Sequence, residues 1–380
     1  LFMKKQLTRI ASWMLLATMG QAGAFAQNIR IDMNQTYPEK TINLQKVADV
    51  KYIPLETTDE MLFNGIVTNL SAEGIAGFNK KEGDILVFDG TGKAIASFNH
   101  MGQGPNEYNK IYHLDVDWKQ KEVYVQDNFR QKIRIYGLDG RHLRIIDLQE
   151  TMQEGDLYSF SDTHLIYYAK PKSKPVTPYE PVTLLSKKDA SKVTLPFTKT
   201  DDNLVKATGG PFGDMKMSAK NVNLLCKKGD EVYVNEVTAD VIYRVESNHA
   251  LTPVVERTPS YQDASGQDFF LMLTGANARY YFFKRQQALL EFQGNAATDT
   301  KSTYVAYDRK EKQLLNPTFT NEDYPSQDIP MSKLLQCAGS ANRCYLQLEA
   351  FKLKEALAEG KLKGTLKSIA EKLDEEDNPV

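Results

Sequence analysis

The sequence predicts an all-β protein, a six-bladed β-propeller with a helical C-terminal segment. A self-echo at an offset of 48 residues carries most of this expectation. Ile85-Leu-Val-Phe88-Asp-Gly-Thr-Gly92 returns as Ile133-Arg-Ile-Tyr136-Gly-Leu-Asp-Gly140, and the apolar segments before them, 75–79 and 123–127, keep the same offset. A strand-turn-strand unit recurring every 40–50 residues or so is how propeller blades look in sequence. The composition agrees, since 19 Tyr and 17 Phe suit half-buried strand faces. Helical periodicity is confined to the last 50 residues or so, where Leu346, Phe351, Leu353, Leu357, Leu362, Leu366, Ile369 and Leu373 form an apolar stripe.

The first element is removed before folding. Lys4, Lys5 and Arg9 make a basic start, Ile10 to Met19 is mostly apolar, and Ala24-Phe25-Ala26 is a small-residue cleavage site, which together predict a signal peptide over 1–26. That reading starts translation at Met3, treats Leu1-Phe2 as an artefact of gene calling, and begins the mature chain at Gln27. The apolar run is shorter than the roughly 20 residues a membrane span needs. No Cys lies near the cleavage site, so no lipid attachment is expected, and no later run is long enough to cross a bilayer. The protein is therefore expected to be soluble in the periplasm or cell envelope.

Residues 27–330 are assigned to the propeller and 331–380 to a helical segment packed on it. Tyr37 to Glu56 is expected as a lead-in strand. In the first clear blade Asp89-Gly-Thr-Gly92 supplies a tight hairpin, because glycine tolerates positive φ, and Leu138-Asp-Gly140 does so in the second. Leu157–Phe160, Leu165–Tyr168 and Val182–Leu185 form another blade with a long loop from Pro171 to Pro181. Glu231–Glu236 with Val241–Val245, and Ala278–Phe283 with Thr303–Tyr307, give two more. Phe269 to Leu273 is read as a short helix across one face. In the tail, Ser332–Leu335 is also helical in period, and Gly360 and Gly364 break the longer helical stretch. About 300 residues at roughly 50 per blade give six blades.

Charge narrows the partners. Without the signal peptide, 44 basic residues face 49 acidic ones, a formal charge of −5. That balance argues against nucleic acid and against an anionic membrane surface.

The run Gly102-Gln-Gly-Pro-Asn-Glu-Tyr108, His113-Leu-Asp-Val-Asp117, Val123-Tyr-Val-Gln-Asp127, Ile133-Arg-Ile-Tyr136 and Asp139-Gly-Arg141 resembles an NHL-type propeller repeat. More closely, the chain resembles exported six-bladed propeller proteins of Bacteroides-type bacteria with NHL/TolB-like repeats. Ile53-Pro-Leu-Glu-Thr57, Ile242-Tyr-Arg244 and the terminal Asp377-Asn-Pro-Val380 also carry that likeness. It covers roughly 48–380 and is strongest over 83–146. It departs from the NHL repeat at Lys132, where Arg is usual, and at Asn79, where Asp is usual. The resemblance implies the fold and export, and no particular activity.

Several residues invite a chemical reading. The Gly102–Tyr108 loop has the glycines of a phosphate loop, but Pro105 removes a donor, no Lys-Ser/Thr follows, and a strand comes next. A structural passage is favoured, with Gly102 and Gly104 allowing a sharp turn that Glu107 and Tyr108 pin. Asp115 and Asp117 share one strand face, so they could serve as an acid–base pair or bind Ca²⁺ near the channel, though a strand-end Asp more often caps a turn. Of the five histidines, His100, His113, His142, His164 and His249, His113 and His164 lie 51 residues apart at similar places before a strand, and are expected to approach the channel from neighbouring blades. Two histidines still lack the third ligand a zinc site needs, and no metal or other cofactor is expected. No G-x-S-x-G elbow or Ser/His/Asp arrangement is present. Cys226 reads as a buried apolar side chain. Cys337 and Cys344 flank a segment where Gly339, Ser340 and Asn342 allow a turn, making them candidates for a disulfide in an oxidising compartment. In an unbroken helix they would lie about 10 Å apart, too far to bond.

The expectation from these residues is a non-catalytic binding or scaffold module for a protein, peptide or glycan of the envelope. The alternative is an envelope lyase or hydrolase with a channel-centred site, with or without a metal, and His113, His164, Asp115 and Asp117 as its first suspects. A sensor domain would need a membrane segment that the sequence lacks.

Overall fold

In a computed structural model the chain folds into a succession of antiparallel sheets, each made mainly from one stretch of sequence. The structure describes residues 28–127, 130–148, 150–170, 178–199, 204–208, 215–218, 224–228, 231–263, 268–293, 296–297, 301–329 and 343–380. The predicted signal peptide, Ser332–Leu335, Cys337 and most of the 171–181 loop lie outside them.

The first blade comprises Ile66–Leu70, Gly74–Phe78, Ile85–Asp89 and Ala94–Phe98. His113–Asp117, Glu122–Asp127, Lys132–Gly137 and His142–Asp147 form the second. The third contains Thr151–Ser159, His164–Lys170, Val182–Ser186 and Lys192–Thr194. Leu225–Lys228, Glu231–Val234, Val241–Val245 and Leu251–Thr258 make the fourth. Phe269–Ala276, Tyr280–Gln287, Ser302–Asp308 and Gln313–Thr320 make the fifth. The first strand of each blade lies against the first strand of the next, from blade one through blade five.

The described residues thus form five blades, where blade arithmetic expected six. Part of the chain that the arithmetic counted lies in a further sheet. Leu204–Thr208, Met215–Ser218, Leu289–Gln293 and Ala296–Ala297 leave the third-to-fourth connection and the fifth blade to build a separate four-stranded sheet. The predicted short helix at Phe269–Leu273 is instead the first strand of the fifth blade, buried on both faces and paired with Tyr280–Gln287. A short aromatic and aliphatic run without alternation fits either state, and the neighbouring strand decides it.

Nor is the lead-in a single strand. Ile29–Asp32 pairs in parallel with Leu251–Thr258 and Glu39–Asn43 in parallel with Gln313–Thr320, so the N-terminal segment covers the outer edges of the fourth and fifth blades. Asp49 to Leu55 forms no strand.

One turn recurs in all five blades, between the third and fourth strands. Its last residue has positive φ: Gly92 (89°), Gly140 (81°), Ala190 (58°), His249 (69°) and Lys312 (53°). In the second blade the Gly140 amide donates to Gly137 O at 3.0 Å, and a Cβ on Gly140 would lie 2.5 Å from Phe98 Cγ. Glycine there serves both the turn and the packing of the preceding blade.

Apolar clusters fill the gaps between blades. Ile85, Val87, Leu114, Val123 and Tyr136 join the first and second blades, and Tyr124, Ile135, Leu165 and Leu185 the second and third. The last gap is filled differently. Cys344 and Leu346 pack on the fifth-blade cluster and Tyr345 on the first-blade cluster, so residues 344–346 lie as an extended wedge between the two. Helices Ala350–Ala358 and Gly364–Ala370 follow, with Leu353, Leu362, Leu366 and Leu373 buried together and Tyr52 and Tyr324 packed on them. Phe351, expected in that stripe, is 45% exposed. No helix among the described residues is long and apolar enough to cross a membrane.

Candidate functional site

Polar side chains collect where the first strands of the blades meet, and most of them stitch one blade to the next. Trp118 Nε1 donates to Asn69 Oδ1 at 2.6 Å, and Asn69 Nδ2 donates to Asp115 Oδ1 at 2.8 Å, joining blades one and two. The Ser159 amide donates to Asp115 Oδ2 at 2.6 Å, joining blades two and three. At the far end of the same strand, Lys187 Nζ reaches Asp117 Oδ2 at 2.6 Å, Ser161 O at 2.7 Å and Ser159 Oγ at 2.8 Å. Burial pushes the Asp117 carboxyl up, but the Lys187 ammonium and the Gln120 amide outweigh it and hold the group below its ordinary value.

The third and fourth blades meet through Asp156, whose carboxylate accepts the Leu224 and Leu225 amides, each at 3.3 Å. Burial, with the nearby Glu236 charge, holds that carboxyl well above the usual carboxylate range against the pull of those amides. Glu236 is itself held by Lys199 Nζ at 2.9 Å and the Tyr168 hydroxyl at 2.8 Å. Between the fourth and fifth blades the Leu273 amide donates to Asn235 Oδ1 at 3.1 Å.

A second group of polar atoms is short of partners. His113 Nε2 is shielded from solvent, with no hydrogen-bond partner among the described residues. The Tyr158 ring stands edge-on to His113, with centroids 5.1 Å apart. Burial pushes the His113 imidazole down to about 4; the Asp115 charge opposes this and the Lys227 charge adds to it. The ring is therefore neutral across the physiological range. Burial, helped by Asp156, holds the Tyr158 phenol well above its ordinary value, so it stays an O–H donor. Lys227 reaches across from the fourth blade to Asp115 Oδ2 of the second, at 3.5 Å. Because the third blade's Ser159 amide meets the same oxygen, the Lys227 side chain spans the axial space rather than one blade gap.

The suspects named from sequence are divided by this geometry. His113 and Asp115 share the axial group, with Tyr158 and Lys227. Asp117 closes the strand that His113 opens, caps a turn by accepting the Gln120 amide at 3.0 Å, and is committed to Lys187. His164 begins a second strand, not a first one, and bonds Thr163 Oγ1 through Nδ1 at 2.8 Å, with its ring against His249. His113 and His164 thus do not converge, and no group of three or more His, Cys, Asp or Glu able to hold a metal forms among the described residues.

The Gly102–Tyr108 loop spends its polar groups on itself. The Gly104 amide donates to Glu107 Oε2 at 2.6 Å, and the Gly102 amide to Tyr108 O at 3.0 Å. A Cβ on Gly102 would lie 2.1 Å from Glu107 Oε2. The Tyr108 hydroxyl donates to Gly83 O at 2.6 Å, and Arg130 Nη1 donates to Gly104 O at 2.8 Å. Pro105 is exposed at the tip. These amides are not free to cradle a phosphate. Cys226 is buried, its thiol 3.3 Å from Leu273 O; the Cys337–Cys344 pairing lies outside the described residues, since Cys337 is not among them.

Sequence reasoning missed Asn69, Tyr158, Lys187 and Lys227. The spacing of Asn69 and Asp115 by 46 residues, one blade, could have marked the first of them, and the two lysines stand out as cations ending apolar runs.

A crystal structure from Bacteroides fragilis NCTC 9343, of a protein described as exported, is similar with a TM-score of 0.61 at 14% identity, covering 92% of this chain and 97% of that one. A member of the DUF4221 family from Bacteroides vulgatus matches with a TM-score of 0.47 at 8% identity, covering 71% and 88%. BamB from Moraxella catarrhalis matches with a TM-score of 0.36 at 9% identity, covering 67% and 62%. No curated protein matches the chain in sequence. The family model described as a domain of unknown function, DUF4934, matches residues 28–380, and the chain belongs to that family.

Proposed function

We propose that this propeller is an exported, non-catalytic binding module that takes its ligand at the axial ends of the first strands. One observation carries the reading: His113 Nε2 is shielded without a partner among the described residues, while the ion pair of Lys227 with Asp115 beside it is long. Buried polar groups are almost always satisfied, so under-satisfied ones beside one another mark a place where a guest would supply the missing bonds. Three buried carboxylates near the axis are occupied instead: Asp117 by Lys187, Glu236 by Lys199, Asp156 by two amides.

Export is supported by the basic, apolar and small-residue order of 1–26 and by the description of the similar Bacteroides fragilis protein. The repeat is of NHL type in this reading, and its expected partner is a peptide, protein or glycan of the envelope.

The test is thermal unfolding of residues 27–380 against glycans, short peptides, divalent metals and a chelator. A ligand specific to the folded state at a hundred times its Kd adds about 2.7 kcal/mol, visible as a raised midpoint. Ligand shifts that His113→Phe and Tyr158→Phe abolish would support the axial site. A chelator-sensitive midpoint restored by a metal would overturn the non-catalytic reading in favour of a channel-centred metal enzyme.

A further inference from the structure

We propose that the axial site recognises a carboxylate, with Lys227 as the residue that receives it. This rests on the binding reading above and specifies its ligand.

Lys227 differs from three buried cations that hold a carboxylate closely. Lys187 meets Asp117 at 2.6 Å, Lys199 meets Glu236 at 2.9 Å and Arg134 meets Asp127 at 2.9 Å, all hydrogen-bonding distances. Lys227 stands 3.5 Å from Asp115, beyond a good N–H···O bond, although its side chain is only 13% exposed. Asp115 does not depend on it, since Asn69 Nδ2 and the Ser159 amide already satisfy both carboxylate oxygens at 2.8 and 2.6 Å. The ammonium is thus the loosely held member, with its counter-charge already engaged. A second carboxylate at Lys227 would form the short charge-assisted bond that Asp115 does not.

The surrounding groups favour the same guest. Tyr158, edge-on to His113, supplies a protonated phenol. His113 is neutral, so through Nε2 it can donate or accept according to tautomer. A carboxylate, which only accepts, matches an ammonium and a phenol donor better than a cation or a donor-rich amine would.

Such a carboxylate could belong to a peptide C-terminus or to an acidic sugar. The experiment is calorimetric titration of the exported chain with two matched pairs: N-acetyl-L-alanine against its amide, and D-glucuronate against D-glucose. The expected result is at least tenfold tighter binding of one carboxylate than of its uncharged counterpart, and the pair that shows it identifies the source. Lys227→Met should abolish the preference and Lys227→Arg should retain part of it, both with an unfolding midpoint close to the parent's. Equal binding within both pairs, a preference that survives Lys227→Met, or no binding of either carboxylate would overturn the assignment. Uncharged glucose or peptide amide binding that Tyr158→Phe weakens would sink the carboxylate and leave the axial binding reading standing.

Discussion

His113 sets a testable sign for the pH dependence of stability. Its imidazole is pushed down to about 4 in the fold but titrates near 6.5 when the chain unfolds. Between those values the unfolded chain binds the extra proton, so the stability His113 contributes is fully present above about 6.5 and is lost as pH falls toward 4. The loss amounts to at most about 3 kcal/mol, the full shift at 1.36 kcal/mol per unit. Urea unfolding at pH 7.5 and pH 4.5 should show His113→Gln closing much of the gap between the two conditions. An acid limb as steep in the variant as in the parent would place the sensitivity elsewhere. At the same scale, Lys187→Met strands Asp117, which is 9% exposed, beside a neutral side chain. Removing one partner of a buried pair costs about 3–5 kcal/mol, and Lys187→Met with Asp117→Leu should recover most of that. If the double variant is no more stable than the single one, the pair is not the source of the loss.

At the scale of elements, the turn between third and fourth strands explains why the repeat fades after the second blade. The fold asks for a left-handed residue at one position in every blade, and the chain supplies glycine twice and then Ala190, His249 and Lys312. A non-glycine residue there costs about 1–2 kcal/mol in backbone strain, which His249 carries at 69°. His249→Gly should therefore raise the unfolding free energy, by up to about 1 kcal/mol after the entropy that glycine adds to the unfolded chain. A loss of stability would show that the contacts of the His249 ring with Phe160 and His164 outweigh the strain. The same substitutions weaken the repeat in the later blades, because its Asp-Gly and Gly-x-Gly marks are only one way of supplying that φ angle. The first two blades were legible because their turn residues and alternation coincide with the structural requirement.

For the whole molecule, the seam between the last blade and the first is the distinctive feature. Arg343 Nη1 donates to Ser71 O at 2.7 Å and the Tyr345 hydroxyl donates to Val67 O, both in the first blade. Leu348 and Val380 exchange backbone hydrogen bonds at 2.8 and 2.9 Å, and the Leu55 amide donates to Pro379 O at 3.1 Å, binding the chain's end to its lead-in segment. Asn378, 3% exposed, accepts the Phe63 amide at 2.7 Å and donates to Glu56 O at 2.8 Å and Met61 O at 2.5 Å. Asn378→Ala leaves these groups unsatisfied and should cost about 1–3 kcal/mol per group stranded. Hydrogen exchange should quicken first in residues 55–70 and not in the third blade. A uniform increase across all blades would mean that the seam has no separate stability. Closing a ring through the C-terminal segment makes Tyr345 and Asn378 matter in proportion to what they join, 278 and 315 residues away in sequence.

The sequence by itself determined the repeating strand-turn-strand unit, the propeller class, the position of the helical tail and the residues of the Gly102–Tyr108 loop. Each of these depends on local alternation, turn chemistry or helical period, which neighbouring residues encode directly. Tertiary structure decided how many blades form among the described residues, that Phe269–Ala276 is a strand, and that 204–218 and 289–297 leave the blades to pair with each other. It also separated His113 from His164 and brought Lys227 across to Asp115. Those outcomes depend on which segments pair and bury one another, and that pairing, rather than the local preference of each segment, sets the free energy.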